Sequence, residues 1–225
     1  MKLAIIADVH SNGPALEAVL AEIDGLGADA LVCAGDTVGY GASPNDCCAR
    51  IKSRADKTVL GNHDASSLTR DTSFMNPYAA KAVLWTASAL NDESRRWLKD
   101  LDIGDRLEIG DARCAIYHGS IDSNTEYVYE DDAKESMLSR TRSNLLILGH
   151  THVPYIKRFK TGMIVNPGSV GQPRDGDPRA SFATVDASSM DCTIVRLDYD
   201  IDAAAGAIDA AGLPGFLAER LYSGR

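Results

Sequence analysis

The chain is organised around its first strand, Lys2-Leu3-Ala4-Ile5-Ile6-Ala7, and the polar pair that follows in Asp8-Val9-His10. Five consecutive apolar residues between a lysine and an aspartate read as a strand buried on both faces, because a half-buried strand would alternate. Residues i and i+2 leaving such a strand can face the same way, so Asp8 and His10 arrive as a pair. Leu16, Val19, Leu20, Ile23 and Leu26 then recur at helical spacing over residues 14–26, with Pro14 suited to a first turn and Gly25 and Gly27 to the end. A buried strand, a polar turn and an amphipathic helix form the opening unit of an α/β domain.

The same alternation continues along the chain. Further strands are expected at Ala30–Ala34, Thr58–Leu60, Cys114–Tyr117 and Leu145–Leu148, and β-rich connections at Arg106–Ile109, Tyr155–Phe159, Met163–Val165, Ser181–Val185 and Cys192–Leu197. Helices are expected over residues 77–90 and 92–101, each with one tryptophan, Trp85 and Trp97, on a buried face. No repeat, low-complexity tract or linker divides the 225 residues, and 44% hydrophobic content supports one sizeable core, so residues 1–225 read as a single domain.

Five of these strands end in metal-binding residue types. Asp8 and His10 follow the first, Gly35-Asp36 the second, Gly61-Asn62-His63-Asp64 the third, His118 the fourth, and Gly149-His150-Thr151-His152 the fifth. Open α/β sheets bind ligands beyond the carboxyl ends of their strands, so five such ends can line one crevice. Each piece alone has an ordinary explanation: a solvated Asp-x-His, a Gly-Asp turn, a capped Asn-His-Asp turn. The joint count carries the argument, because the chain has five histidines and all five lie in this set. Nitrogen and oxygen donors without thiolate suit Zn, Mn, Fe, Co or Ni.

In order, these motifs resemble those of the calcineurin-like metallophosphoesterases, in particular the small bacterial and archaeal phosphodiesterase-like branch. The resemblance spans the chain and extends to Gly39-Tyr40-Gly41 and Asn166-Pro167-Gly168-Ser169. It implies an α/β (α+β) fold, a four-layer αββα sandwich of two mixed β-sheets flanked by helices. It also implies two divalent transition metal ions, one held by Asp8, His10, Asp36 and His152 and the other by Asp36, Asn62, His118 and His150, with Asp36 bridging. Two ions about 3.5–4 Å apart can hold a hydroxide between them for in-line attack on a phosphate ester. His63 matches the family's catalytic histidine, which stabilises or protonates the leaving oxygen, and Asp64 either orients it or caps the loop. The implied reaction is hydrolysis of a small phosphodiester or phosphomonoester. The alternatives are a nucleotide-polyphosphate hydrolase, a protein phosphatase, and a non-catalytic metal-binding scaffold such as the small retromer subunit.

One departure narrows the substrate. Protein Ser/Thr phosphatases of this superfamily carry an arginine shortly after the Gly-Asp, whereas this chain reads Thr37-Val38-Gly39-Tyr40-Gly41. Arg174 either supplies a replacement cation for the substrate or is a solvated turn residue. Asn12 either contacts substrate or starts the helix behind Pro14. Tyr127 and Tyr129 either stack on a nucleoside base or pack beneath a loop. Cys47 and Cys48 are expected as small buried residues of a helix rather than as oxidant sensors.

Composition sets the remaining expectations. A net charge of −9 disfavours an extended nucleic-acid surface or a membrane surface, leaving a small phosphate ester as the expected partner. The apolar run after Lys2 is shorter than the roughly 7–15 residues of a signal h-region. The five cysteines are odd in number and form no CxxC. Together these place the chain in the reducing cytoplasm as an expectation, and no feature sets an oligomeric state.

Overall fold

The computed structural model describes residues 1–225. The chain runs β1 (Lys2–Ile6), α1 (Gly13–Gly25), β2 (Ala30–Cys33), α2 (Pro44–Arg54), β3 (Lys57–Thr58), α3 (Asn62–Thr69), α4 (Pro77–Ala89), α5 (Asp92–Lys99), β4 (Gly104–Ile109), β5 (Ala112–Tyr117), α6 (Glu135–Thr141), β6 (Leu145–Ile147), β7 (Tyr155–Phe159), β8 (Gly162–Asn166), β9 (Ala180–Asp186), β10 (Asp191–Leu197), α7 (Ile201–Ala210) and α8 (Gly215–Glu219). A short 3-10 turn at Arg220–Ser223 follows.

Ten strands form two sheets of five, ordered β10-β9-β1-β2-β3 and β4-β5-β6-β8-β7. Both are mixed. In the first, β1, β2 and β3 are parallel and β9 and β10 are added antiparallel. In the second, β5, β6 and β8 are parallel, with β4 and β7 antiparallel at the edges.

The apolar runs read from the sequence now have their physical reason, since both faces of the central strands are covered. Alternate residues of β1 point to opposite sides: Leu3 and Ile5 join Val32, Ile116, Leu145, Ile147 and Val165 in the layer between the sheets, whereas Ala4 and Ile6 pack with Leu16, Val19 and Ile23 of α1 and Ile51 of α2. On the far side, Leu146 and Ile164 meet Leu138 of α6. The order is therefore helices, sheet, sheet, helix, the four-layer arrangement expected. Leu145 and Ile147 are fully buried, and truncation of such a side chain to alanine generally costs about 2–5 kcal/mol.

Helices α3, α6, α7 and α8 were not expected from the sequence, and the other differences are local. The third strand is two residues long rather than three, and Trp85 and Trp97 are half-buried. Cys47 and Cys48 are buried on α2. No helix is long and apolar enough to cross a membrane.

Candidate metal centre

The segments that follow β1, β2, β3, β5 and β6 meet at one place. The donor atoms of Asp8, His10 and His152 lie within 4.8 Å of one another, as do those of Asp36, His118 and His150. All six residues are buried. Asp36 stands between the two groups, its Oδ2 lying 3.6 Å from His10 Nε2 and 3.3 Å from His118 Nε2. Asn62 joins the second group, its Oδ1 standing 3.0 Å from His118 Nε2.

Backbone carbonyls set the direction of each imidazole. His10 Nδ1 bonds Val38 O at 3.1 Å, His118 Nδ1 bonds Ala34 O at 2.8 Å, and His152 Nδ1 bonds Gln172 O at 2.5 Å. A carbonyl only accepts, so these three Nδ1 atoms carry hydrogen and the Nε2 atoms turn inward as donors to a cation. His150 is reversed, with Nε2 bonded to Thr125 O at 3.1 Å, which leaves Nδ1 for the centre.

By protein alone this arrangement is only partly compensated. His10 Nε2 and His152 Nε2 face each other at 3.1 Å, and with both Nδ1 atoms donating, two lone pairs oppose one another. Asp8 Oδ1 is buried without a hydrogen-bond partner, 3.3 Å from His152 Nε2, and Asp36 Oδ2 is likewise unpartnered. A buried carboxylate oxygen without a donor is costly. The donor set fits divalent cations, which would satisfy both the carboxylates and the opposed imidazoles.

The backbone is strained where the centre forms. Asp8, His10, Asp36, His150 and His152 all have positive φ, from 50° to 67°. Asn, Asp and His are several-fold enriched among the few non-glycine residues that adopt this region, and such strain clusters at functional sites. Two contacts the sequence did not announce hold the loops. Asn166 Nδ2 donates to Gly149 O at 2.7 Å, fixing the loop that carries His150 and His152. Ser169 Oγ donates to Asp8 O at 2.7 Å. Only the Asn-Pro-Gly-Ser motif itself signalled them.

The other candidates fall into place as follows. His63 lies in the first turn of α3, and its N–H donates to Asp36 Oδ1 at 2.8 Å. Its ring lies 4.4 Å from the Tyr40 ring and 4.9 Å from that of His10, and its buried Nδ1 has no partner. Asp64 does not orient this ring by hydrogen bonding: its two oxygens accept from Val38 N at 2.9 Å and Gly61 N at 3.0 Å, so it caps the loop. Gly39 makes room for the ring instead, because a Cβ there would stand 2.6 Å from His63 Nδ1. Asn12 caps α1, accepting from Ala15 N at 3.1 Å and donating to Gly171 O at 2.9 Å, so both ends of its amide are engaged within the fold, as the helix-start reading expects. Arg174 is no solvated turn residue. Its Nη2 donates to the Tyr40 hydroxyl at 3.1 Å, and its Nε is buried without a partner. Tyr127 stacks on His150 at 4.1 Å, with Tyr129 nearly parallel to it at 6.0 Å.

Electrostatics divide the histidines. Burial holds His10 and His152 well below the ordinary value, His63 near about 4 and His150 near about 3, so all four are neutral at pH 7 in the free protein. Burial also lowers His118, but the Asp36 carboxylate outweighs it and lifts His118 to about 9. Burial raises Asp36 too, yet His118 and His63 hold it below the carboxylate range. Burial pushes Asp8 up to about 7. A proton on His118 thus balances Asp36 in the metal-free centre. For Arg174, burial opposes the charge, and the Tyr40 and Tyr127 hydroxyls with Asp8 overcome it.

A two-sheet sandwich with buried His, Asp and Asn donors gathered at its strand ends defines a metal-dependent hydrolase. The chain belongs to the calcineurin-like phosphoesterase superfamily, whose domain model matches residues 1–190. It is 34% identical over 241 residues to an uncharacterised protein of Methanocaldococcus jannaschii, covering 99% of this chain and 98% of that one. It is 24% identical over 194 residues to the phosphodiesterase YfcE of Escherichia coli, covering 83% of this chain and 88% of that one. Among solved structures, a metallophosphoesterase from Sphaerobacter thermophilus superposes with a TM-score of 0.86 at 34% identity, over 100% of this chain and 99% of that one.

Proposed function

We propose that the chain hydrolyses small phosphodiesters or phosphomonoesters at a two-ion centre held by Asp8, His10, Asp36 and His152 on one side and Asp36, Asn62, His118 and His150 on the other. The observation that carries this reading is the pair of opposed Nε2 atoms of His10 and His152, 3.1 Å apart beside the unpartnered Asp8 Oδ1. When bound, a pair of divalent cations supplies positive charge to the phosphoryl oxygens and a nucleophile available at neutral pH. The protein's own part is positioning. Asp36 serves both groups, Tyr40 holds the Arg174 guanidinium beside the centre as a candidate phosphate contact, and His63 lies where the adjoining cleft meets the centre, in reach of a leaving oxygen. Mn, Fe, Zn, Ni and Co all suit the donors.

The test is a panel of the metal-stripped protein with each metal restored in turn. Small diesters such as bis(p-nitrophenyl) phosphate are expected to be turned over with higher kcat/KM than a phosphoserine peptide, because the segment after Asp36 offers no arginine for a peptide phosphate. A higher value for the peptide would favour the protein-phosphatase alternative. No turnover with any metal would leave the scaffold reading.

Metal uptake should also be linked to protons. His118 is lifted from its ordinary value near ~6.5 to about 9 in the metal-free fold. That raised value contributes stability fully present below ~6.5 and lost as pH rises through about 9. A cation must displace this proton, so affinity is expected to climb with pH up to about 9 and then flatten. Calorimetric titration with Mn²⁺ at pH 7.5, in two buffers of different ionisation enthalpy, should detect release of about one proton per chain. Buffer-independent heats would remove the His118–Asp36 pairing from the account.

A further inference from the structure

One cleft opens directly off the centre. It encloses about 510 Å³ and runs outward from Asn62, His63 and His150 between the segment joining α3 to α4 and residues 124–127, within the range of small-ligand sites. Its walls carry aromatic rings turned to water. Phe74 is 95% exposed and Tyr127 is 46% exposed, the latter braced flat against His150 at an interplanar angle of 25°. The polar lining is mostly uncharged amide and hydroxyl, including Ser66, Thr69, Asn76 and Asn124. Asn76 uses its Oδ1 on the first turn of α4, which leaves Nδ2 to donate.

The lining also excludes ligands. No lysine or arginine borders the cleft, and its one carboxylate, Asp71, is exposed and accepts the N–H and hydroxyl of Ser73 on Oδ1 alone. A second phosphate entering here would find no cation, which disfavours a nucleotide polyphosphate. An uncharged planar group would find a ring to stack on and amides for its edge.

We propose that this cleft receives the alcohol side of the ester and that its ligand is a nucleoside, the base stacked on Phe74 and the ester oxygen directed toward His63. The proposal rests on the phosphoesterase reading of the centre and adds the substrate class. Phe74 is exposed enough that its replacement leaves the core untouched.

Two measurements separate the claims. The first is equilibrium dialysis of adenosine, with ribose as control, against the metal-free wild type, Phe74→Ala and Phe74→Tyr. Adenosine is expected to bind better than ribose, to weaken about 5- to 160-fold in Phe74→Ala as loss of one base–aromatic stack implies, and to be retained in Phe74→Tyr. The second compares kcat/KM for the methyl ester of adenosine 5′-phosphate with that for the methyl ester of 1-O-methylribose 5-phosphate. The two present the same 5-alkoxide and differ in the base. The ratio should favour adenosine in wild type and collapse toward one in Phe74→Ala. Adenosine binding unchanged in Phe74→Ala, or equal turnover of both esters by wild type, would overturn the nucleoside subsite while leaving the phosphoesterase reading intact. Adenosine binding that depends on Phe74, with no ester cleaved under any metal, would support the subsite and remove the phosphoesterase reading.

Discussion

Asp36→Asn is expected to lower metal content from the two ions per chain proposed above to one or fewer and to reduce kcat/KM by roughly 10³-fold or more, the loss that a few kcal/mol of charge stabilisation implies. The shape of the residue is conserved and the charge is not. Asp36 Oδ1 is already committed to the His63 N–H at 2.8 Å, and the absence of a side chain at Gly61 lets it sit there, since a Cβ on Gly61 would stand 2.0 Å from that oxygen. Only Oδ2 faces the donors, between His10 and His118. An asparagine keeps the helix-start bond only by turning its oxygen toward His63 N, which presents an NH₂ to the centre where a cation needs a lone pair. The backbone should hold, because asparagine tolerates the φ of 52° at this position. Elemental analysis of folded variant beside wild type checks the outcome. Two metals per chain with unchanged turnover would end the bridging role.

How much of this was legible in the sequence depends on which force built each element. The central strands were readable because they are buried on both faces, so Leu3–Ala7 and Leu145–Leu148 are unbroken apolar runs. The helices near the chain's end were not: α7 and α8 bury Ala204, Ala205 and Ala218 with a single large aliphatic residue each, Ile208 and Leu217, and alanine supplies little hydrophobic contrast for periodicity to reveal. α3 was hidden for another reason. Its sequence Asn62-His63-Asp64 is chosen for the centre and for the Asp64 cap rather than for an apolar stripe.

The donors were legible because a polar residue directly after a buried strand has nowhere to go but the strand-end crevice. The supports were less so. Asn166 and Ser169 act through backbone groups far away in sequence, with Ser169 reaching Asp8 O across 161 positions. Arg174 illustrates the same limit: its turn-like neighbours suit a solvated loop, and only the tertiary approach of Tyr40, whose ring packs on His10, engages its guanidinium. For Asn12 and Asp64 the sequence left two readings each, and the hydrogen bonds show where their side chains are engaged.

His63→Ala is expected to keep both metals and to lower kcat by about 10²–10⁴, the range for a positioned acid–base group. Its side chain is in neither donor cluster, and its ring packs against Tyr40 and His10 at the cleft rather than in the layer between the sheets. The structure sharpens the question of how it acts. Burial holds its pKa near about 4, so in the free protein it is a neutral imidazole at pH 7 and not a ready acid. Protonation would require an anion bound beside it, whereas a neutral ring can still donate one hydrogen bond to a leaving oxygen. The two roles differ in their sensitivity to the leaving group. If His63 transfers a proton, the loss in His63→Ala is small for nitrophenolate, which leaves without protonation, and grows steadily toward alkoxides. If the ring acts only as a fixed dipole on the phosphoryl oxygens, the loss is the same across the series. Measuring kcat for wild type and variant over esters of graded leaving-group pKa, with metal content determined on each sample, separates these outcomes. Metal lost along with activity would show instead that His63 belongs to the ion centre and that the division of donors around Asp36 is wrong.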